Sequence, residues 1–218
     1  MAIKFVMVAT LAVIIFYGEK MNRKKKVEAL KVYALRANTP ESKNETVDVS
    51  KMELFEKSRN LDLVGGCYVG NTRLLTHPWR RIGVFASRSS DPAVDVLREQ
   101  WAMKMGRTRQ CIVGTFHSPA ECEILYLVLK FGGFAVWFMG CSLPEKLPNF
   151  CKGAIRKGRL LMVSCFHREH HTYATARYCV HLTDMYSGRL AVWSMKSGGM
   201  IQPIYDRAIA NGKMVEAF

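Results

Sequence analysis

The chain contains no uncharged apolar run long enough to span a bilayer comfortably. Its nearest approach, Phe5 to Tyr17 (FVMVATLAVIIFY), is bounded by Lys4 on one side and Gly18-Glu19-Lys20 on the other, short of the ~20 residues a spanning helix needs. A secretory signal is not expected either. The basic cluster Arg23 to Lys26 follows the apolar run instead of preceding it, and no small-residue cleavage site comes after it. No C-x-x-C pair occurs among the seven cysteines, which are odd in number and scattered through apolar stretches. They read as reduced thiols in a cytoplasmic protein and not as a disulfide framework. Walker motifs, a G-x-S-x-G elbow and a Ser-His-Asp order are also missing, which removes the signatures of P-loop and α/β-hydrolase chemistry.

Acidic residues are scarce. Asp and Glu number 18 against 32 Lys and Arg, a formal net charge of +14 over 218 residues, and such a balance points to a polyanionic partner or surface. The excess is divided: residues 1 to 31 carry +5 and the remainder +9. With 49% hydrophobic and 23% charged residues, the composition is globular and excludes a wholly disordered chain.

Residues 1–31 form a hydrophobic leader with a basic flank. Two readings stand. If the run inserts, the positive-inside tendency leaves RKKK and everything after it in the cytoplasm, a membrane contact confined to residues 1–20. Alternatively Met21 is the natural start, or the run is a short hydrophobic helix with no membrane role. Residues 32–71 read as an N-terminal extension, polar from Ala37 to Ser50 and Gly-rich from Val64 to Gly70. Val64 to Gly70 is most simply a strand and turn packed on the main domain.

From Pro78 onward, apolar strand-like runs alternate with helix-like runs of 12 to 16 residues. Strands are predicted at Ile82 to Ser87, Cys111 to Phe116, Phe134 to Met139, Leu160 to Ser164, Leu190 to Ser194 and Met214 to Ala217. Helices are predicted at Pro92 to Met105, Pro119 to Phe131, Pro148 to Lys157, Tyr173 to Met185 and Ile201 to Ala210. Strands that are apolar throughout suit a sheet covered on both faces. The expected fold is therefore α/β, a doubly wound, mainly parallel Rossmann-like sheet with helices on both faces, over residues 72–218.

In such a sheet ligands bind beyond the carboxyl ends of the strands. Arg88-Ser89-Ser90-Asp91-Pro92 after the first run offers a guanidinium, hydroxyls and backbone N–H groups for a phosphate, and equally spells a good helix start. Gly114 to Glu121 (GTFHSPAE) contains a capping box, Ser118 and Glu121 with proline at N1. Gly114 permits a close backbone approach by a neighbouring strand or a ligand, and His117 sits at the loop apex. Gly140 ends another strand, and the Gly198-Gly199 pair before the last helix is a candidate anion nest.

The order IGVFASRSS, CIVGTFHSPAECEILYLVLKFGGFAVWFMGCSL and LPNFCKGAIRKGRLLMVSCF resembles the Rossmann-like core of the DNA-processing protein A (DprA/Smf) family. The resemblance spans about Arg81 to Phe218. It implies a protein that binds single-stranded DNA in DNA uptake, transformation or recombination, with a RecA-type recombinase as partner. Ser87 and Arg88 match the family's G-S-R strand end, with Ala86 in place of the glycine. Gly114, Phe116, His117 and Ser118 fall in its Gly-rich turn, and Gly140 matches the glycine after the third strand. Two departures occur: Arg177 is followed by Tyr178 and Cys179 where the family has Arg-Asn-Arg, and Ser197-Gly198-Gly199-Met200 replaces a Ser-Gly-small-Leu element. The expected nucleic-acid contacts are thus Ser87, Arg88, Ser89, Gly114, Phe116, His117, Ser118, Gly140, Arg177, Gly198 and Gly199.

Other readings were weighed against this one. A related Rossmann branch of nucleoside-monophosphate phosphoribohydrolases carries P-G-G-x-G-T-x-x-E, whereas the Gly198-Gly199 pair lacks the Gly-Thr and glutamate that should follow. No hydrolytic set, cofactor or metal is therefore expected. The alternative function is a nucleotide-binding sensor or nucleotide-processing enzyme using the same pocket. Cys165 to His171 holds one thiol and three imidazoles, but its C-x-H-x-x-H-H spacing matches no common structural zinc pattern. Phe116, Trp137, Phe166 and Tyr173 are the candidate stacking aromatics beside Arg and Lys from 88 to 177, Trp137 being more simply core. Expected partners are single-stranded DNA, the recombinase, a nucleotide in the alternative reading and a second copy of the chain in a homodimer.

Overall fold

The computed structural model describes residues 67–76, 80–87 and 92–218. The leader and most of the 32–71 extension lie outside these residues, as do Arg88 and Ser89 of the expected site. Among the described residues no helix is long and apolar enough to cross a membrane.

Seven strands form one sheet: β1 (Cys67–Gly70), β2 (Arg81–Ala86), β3 (Cys111–Gly114), β4 (Phe134–Met139), β5 (Leu160–Ser164), β6 (Arg189–Trp193) and β7 (Met214–Ala217). Their spatial order is β1-β5-β4-β3-β2-β6-β7. Every pairing is parallel except β1 with β5. The sheet thus takes in Cys67–Gly70, a stretch that the sequence places in the extension. β3 and β5 are buried along their whole length, the exposure pattern of strands covered on both faces.

The chain runs outward from β2 through β3 and β4 to β5, then returns to the other side of β2 for β6 and β7. Right-handed crossovers place the helices of the two halves on opposite faces. On one face α2 (Pro92–Arg107), α3 (Pro119–Lys130) and α4 (Asn149–Arg156) pack on Ile82, Val84, Ile112, Ala135 and Leu160. On the other, the short α1 (Arg73–Thr76), α5 (Tyr173–Met185) and α6 (Gln202–Ala210) pack on Phe85, Val113, Val136, Leu161 and Val192. Successive residues of β2 point to alternate layers, as the strand pleat requires.

The observed elements lie within two residues of the predicted ones. Two elements differ by two residues: the helix predicted to Met105 runs on to Arg107, and β3 ends at Gly114 instead of Phe116, because Phe116 takes φ +45 and leaves the extended region. Six cysteines have thiol pKa values raised by burial, Cys141 among them. Cys111, Cys122 and Cys179 are pushed up to about 12, Cys165 to about 11 and Cys151 higher still. Cys67, on the edge strand, is exposed. Native protein at pH 8 should therefore show one fast equivalent with a chromogenic disulfide reagent. The Cys67→Ser variant should lose it; a fast phase surviving that substitution would contradict the packing described.

Candidate nucleic-acid crevice

At the carboxyl end of the sheet, β2 outlasts one neighbour and not the other. Its ladder with β3 stops at Val84 opposite Gly114, while its ladder with β6 continues to Ala86 opposite Trp193. This is where the strand order reverses and crossovers leave for opposite faces, the position at which doubly wound sheets open a ligand crevice.

The backbone exposed there is bridged by the turn that opens α3. Ser118 accepts from the Glu121 N–H at 3.1 Å and donates its hydroxyl to the Ala86 carbonyl at 3.0 Å. The Glu121 carboxylate accepts from the N–H groups of Ala86 (3.2 Å), His117 (2.9 Å) and Ser118 (3.4 Å), and from the Thr115 hydroxyl (3.2 Å). The predicted capping box is therefore present, and it also does something a cap does not require: it joins β2 to the β3–α3 turn. Burial pushes the Glu121 carboxyl above the usual range, opposed by those same donors. An acceptor that takes four hydrogen bonds leaves none of these groups unsatisfied in the interior.

Gly114 and Phe116 serve this turn from below. A Cβ at Gly114 would lie 2.9 Å from the Phe116 ring, so the close approach allowed by this glycine belongs to an aromatic side chain of the same turn. Phe116 is 1% exposed and meets Trp137 edge to face at 6.0 Å. Trp137 in turn donates its indole N–H to the Thr115 carbonyl at 2.7 Å. Phe116, expected at the nucleic-acid contact, is thus a core residue, because its left-handed backbone directs the ring inward.

Above the turn lies a pocket of about 210 Å³. Ser87 reaches it from β2, Thr115, His117, Ser118 and Glu121 from the β3–α3 turn, His171, Ala176 and Val180 from α5 and the segment before it, and Lys196, Gly199, Met200 and Ile201 from the β6–α6 connection. The His117 and His171 rings stand 4.6 Å apart and tilted by 48°. Gly140 makes room for this: a Cβ there would be 3.0 Å from the Thr175 hydroxyl and 3.2 Å from the His171 Cβ. Lys196 is placed by a β-turn closed by Gly199 N–H to Lys196 carbonyl at 3.0 Å, with Gly198 at φ +69, a backbone angle that favours glycine.

Of the expected contacts, Ser87, His117, Ser118 and Gly199 line the pocket. Gly114, Phe116, Gly140 and Gly198 shape its walls from behind, and Arg177 is exposed on α5. The sequence reading missed His171 and Lys196. Both had a visible signal, since His171 closes the histidine run and Lys196 immediately precedes the glycine pair. Among the described residues no group of three His, Cys, Asp or Glu is arranged to hold a metal. Tyr173 is 70% exposed at the first turn of α5, on the helical stripe that continues through Ala176 and Val180 into the pocket.

No family model and no curated protein matches the sequence. Solved structures do match the architecture. The chain superposes on DNA processing protein A from Helicobacter pylori, a protein with a described single-stranded DNA binding mode, with a TM-score of 0.55 at 15% identity over 69% of each chain. With DprA from Streptococcus pneumoniae the TM-score is 0.57 at 17% identity, over 70% of this chain and 54% of that one. The chain has a DprA-like fold. It spans about half of the Streptococcus protein.

In this DprA-like sheet the Glu121 brace is the most exacting feature. Glu121→Gln should cost about 2–4 kcal/mol, since the amide turns an NH₂ toward N–H donors that need an acceptor. At about 2–4 °C per kcal/mol for a chain of this size, the melting temperature falls by about 5–15 °C. Exposed Glu145→Gln, measured alongside, should change stability by less than about 0.5 kcal/mol.

Proposed function

We propose that the chain is a DprA-like DNA-processing protein that binds single-stranded DNA in the crevice at the carboxyl ends of β2, β3 and β6. The observation that carries the reading is the composition of that crevice. Lys196 and the paired imidazoles of His117 and His171 converge where the opening turns of α3 and α6 also border the pocket. Cations and helix N-termini both favour a phosphate oxygen. Arg88 and Ser89, which follow pocket-lining Ser87 in sequence, are the further residues proposed for phosphate contact.

The pocket's size supports a polymer over an enclosed free nucleotide. Its 210 Å³ is below the ~300–1,000 Å³ of sites that enclose a small molecule, so it suits one segment of a strand that continues past the mouth. Exposed Tyr173 at that mouth supplies a face for a base, and base–aromatic stacking is tolerant of sequence. In this reading the protein acts in DNA uptake or recombination, in the cytoplasm, and the strand it holds is passed to a RecA-type recombinase.

Fluorescence anisotropy with labelled dT10 tests the proposal. Binding should weaken as salt rises, because neutralised phosphates release counterions. Tyr173→Ala should lose about 1–3 kcal/mol, or roughly 5- to 150-fold in affinity. Lys196→Ala should make the slope of log K against log salt shallower by about 0.7. Absence of binding at low salt, or wild-type affinity in both variants, overturns the reading.

A further inference from the structure

The opposite end of the sheet carries a second concentration of charge that the crevice does not use. The amino ends of β3, β4 and β5 lie side by side, Cys111 opposite Phe134 and Ala135 opposite Leu160. Neighbouring strands are about 4.8 Å apart, so the three loops that feed them form one surface, separated from the crevice by the length of the strands, about 13–20 Å. Those loops are Thr108-Arg109-Gln110, Phe131-Gly132-Gly133 and Lys157-Gly158-Arg159. Lys104, Arg107, Lys130 and Arg156 border them from the last turns of α2, α3 and α4.

No acidic residue interrupts this surface from within its own segments. The sequence has no Asp or Glu between Glu99 and Glu121, between Glu123 and Glu145, or between Glu145 and Glu169. Among the described residues no ion pair involves any of these cations. Arg159 donates to the carbonyls of Leu129 (2.6 Å) and Gly133 (3.2 Å), tying two of the loops together. Its pKa is lowered first by burial and second by Arg109, a sign that like charges crowd here. Such crowding disfavours the compact state unless a counter-charge answers it.

The aromatic rings of this pole are already occupied. Arg107 lies 5.1 Å from the centroid of Phe131, Arg109 lies 5.5 Å from that of Phe134, and Lys130 lies 5.8 Å from those of Tyr126 and Phe131. Rings covered by cations hold the cations in place and are less open to a base. A partner is therefore recognised chiefly through its negative charges.

We propose that this amino-end pole is a second nucleic-acid surface, which grips the phosphate backbone without reading or stacking bases and works independently of the crevice. A duplex hides its bases and presents its phosphates, so a 20-base-pair DNA duplex is the probe of the pole and dT10 the probe of the crevice. The test variant carries Arg107→Glu, Arg109→Glu and Lys130→Glu, all exposed side chains. A second variant with Gln at the same three positions removes the charges without reversing them, and covers the case in which the first fails to fold. Wild-type protein should bind the duplex at low salt. Each variant should bind it at least about tenfold more weakly, with a salt slope shallower by about 2–3 because three phosphate contacts are gone, and keep wild-type affinity for dT10. No duplex binding by the wild type, or equal duplex binding by wild type and Gln variant, overturns the proposal. Failure of the crevice reading looks different: dT10 binding is absent or indifferent to Lys196 and Tyr173, while duplex binding still depends on the pole.

Discussion

The carboxylate of Glu121 stands where β3 would otherwise continue. A doubly wound sheet has to split at the point where its strand order reverses, and the split exposes backbone groups of the central strand. Here β2 keeps β6 on one side up to Ala86 and loses β3 after Val84. Left in the interior without a partner, each freed group would cost about 1–3 kcal/mol. One side chain bridges Ala86 to the following turn by accepting from three backbone N–H groups and a hydroxyl. The floor of the crevice is thus held by a hydrogen-bond network and not by a strand, which lets the two flanks separate without leaving a defect.

The rest of the site follows from that split. Because the turn is fixed, His117 is presented beside His171, and because Gly140 has no side chain, α5 comes close enough to bring His171 there. The β6–α6 connection supplies Lys196 from the other side of the split. The two ends of the sheet consequently differ in kind. The carboxyl end is a pocket lined by Lys196 and the paired imidazoles of His117 and His171. The amino end presents cations held over aromatic rings. Among the described residues the basic side chains gather at both ends of the sheet.

Much of this was legible in the sequence because it is local. The alternation of apolar runs and helix-like runs placed the parallel strands to within two residues, and the spacing of Ser118, Pro119 and Glu121 announced a capped helix. What was not legible is long-range. Nothing in a capping box says that its glutamate will also reach Ala86, 35 residues earlier. Phe116 read as a base platform because an aromatic in a loop looks available; only its backbone angle, φ +45, reveals that the ring turns under Gly114. The antiparallel strand β1 could be recognised as a strand packed on the domain, but its place beside β5 depends on a register that no local pattern encodes. Tyr173 was legible as an aromatic and became informative once the helix stripe to Ala176 and Val180 was in view.

Amide hydrogen exchange tests the central claim most directly. The N–H groups of Ala86, His117 and Ser118 all donate to Glu121, so in the native protein they should exchange as slowly as amides of the β2–β3 ladder. In Glu121→Gln the same three should lose protection together, while Ile112 and Val113 in the ladder keep theirs. Rapid exchange of these three amides in the wild-type protein, or unchanged protection in the variant, would show that the crevice is not built on this carboxylate.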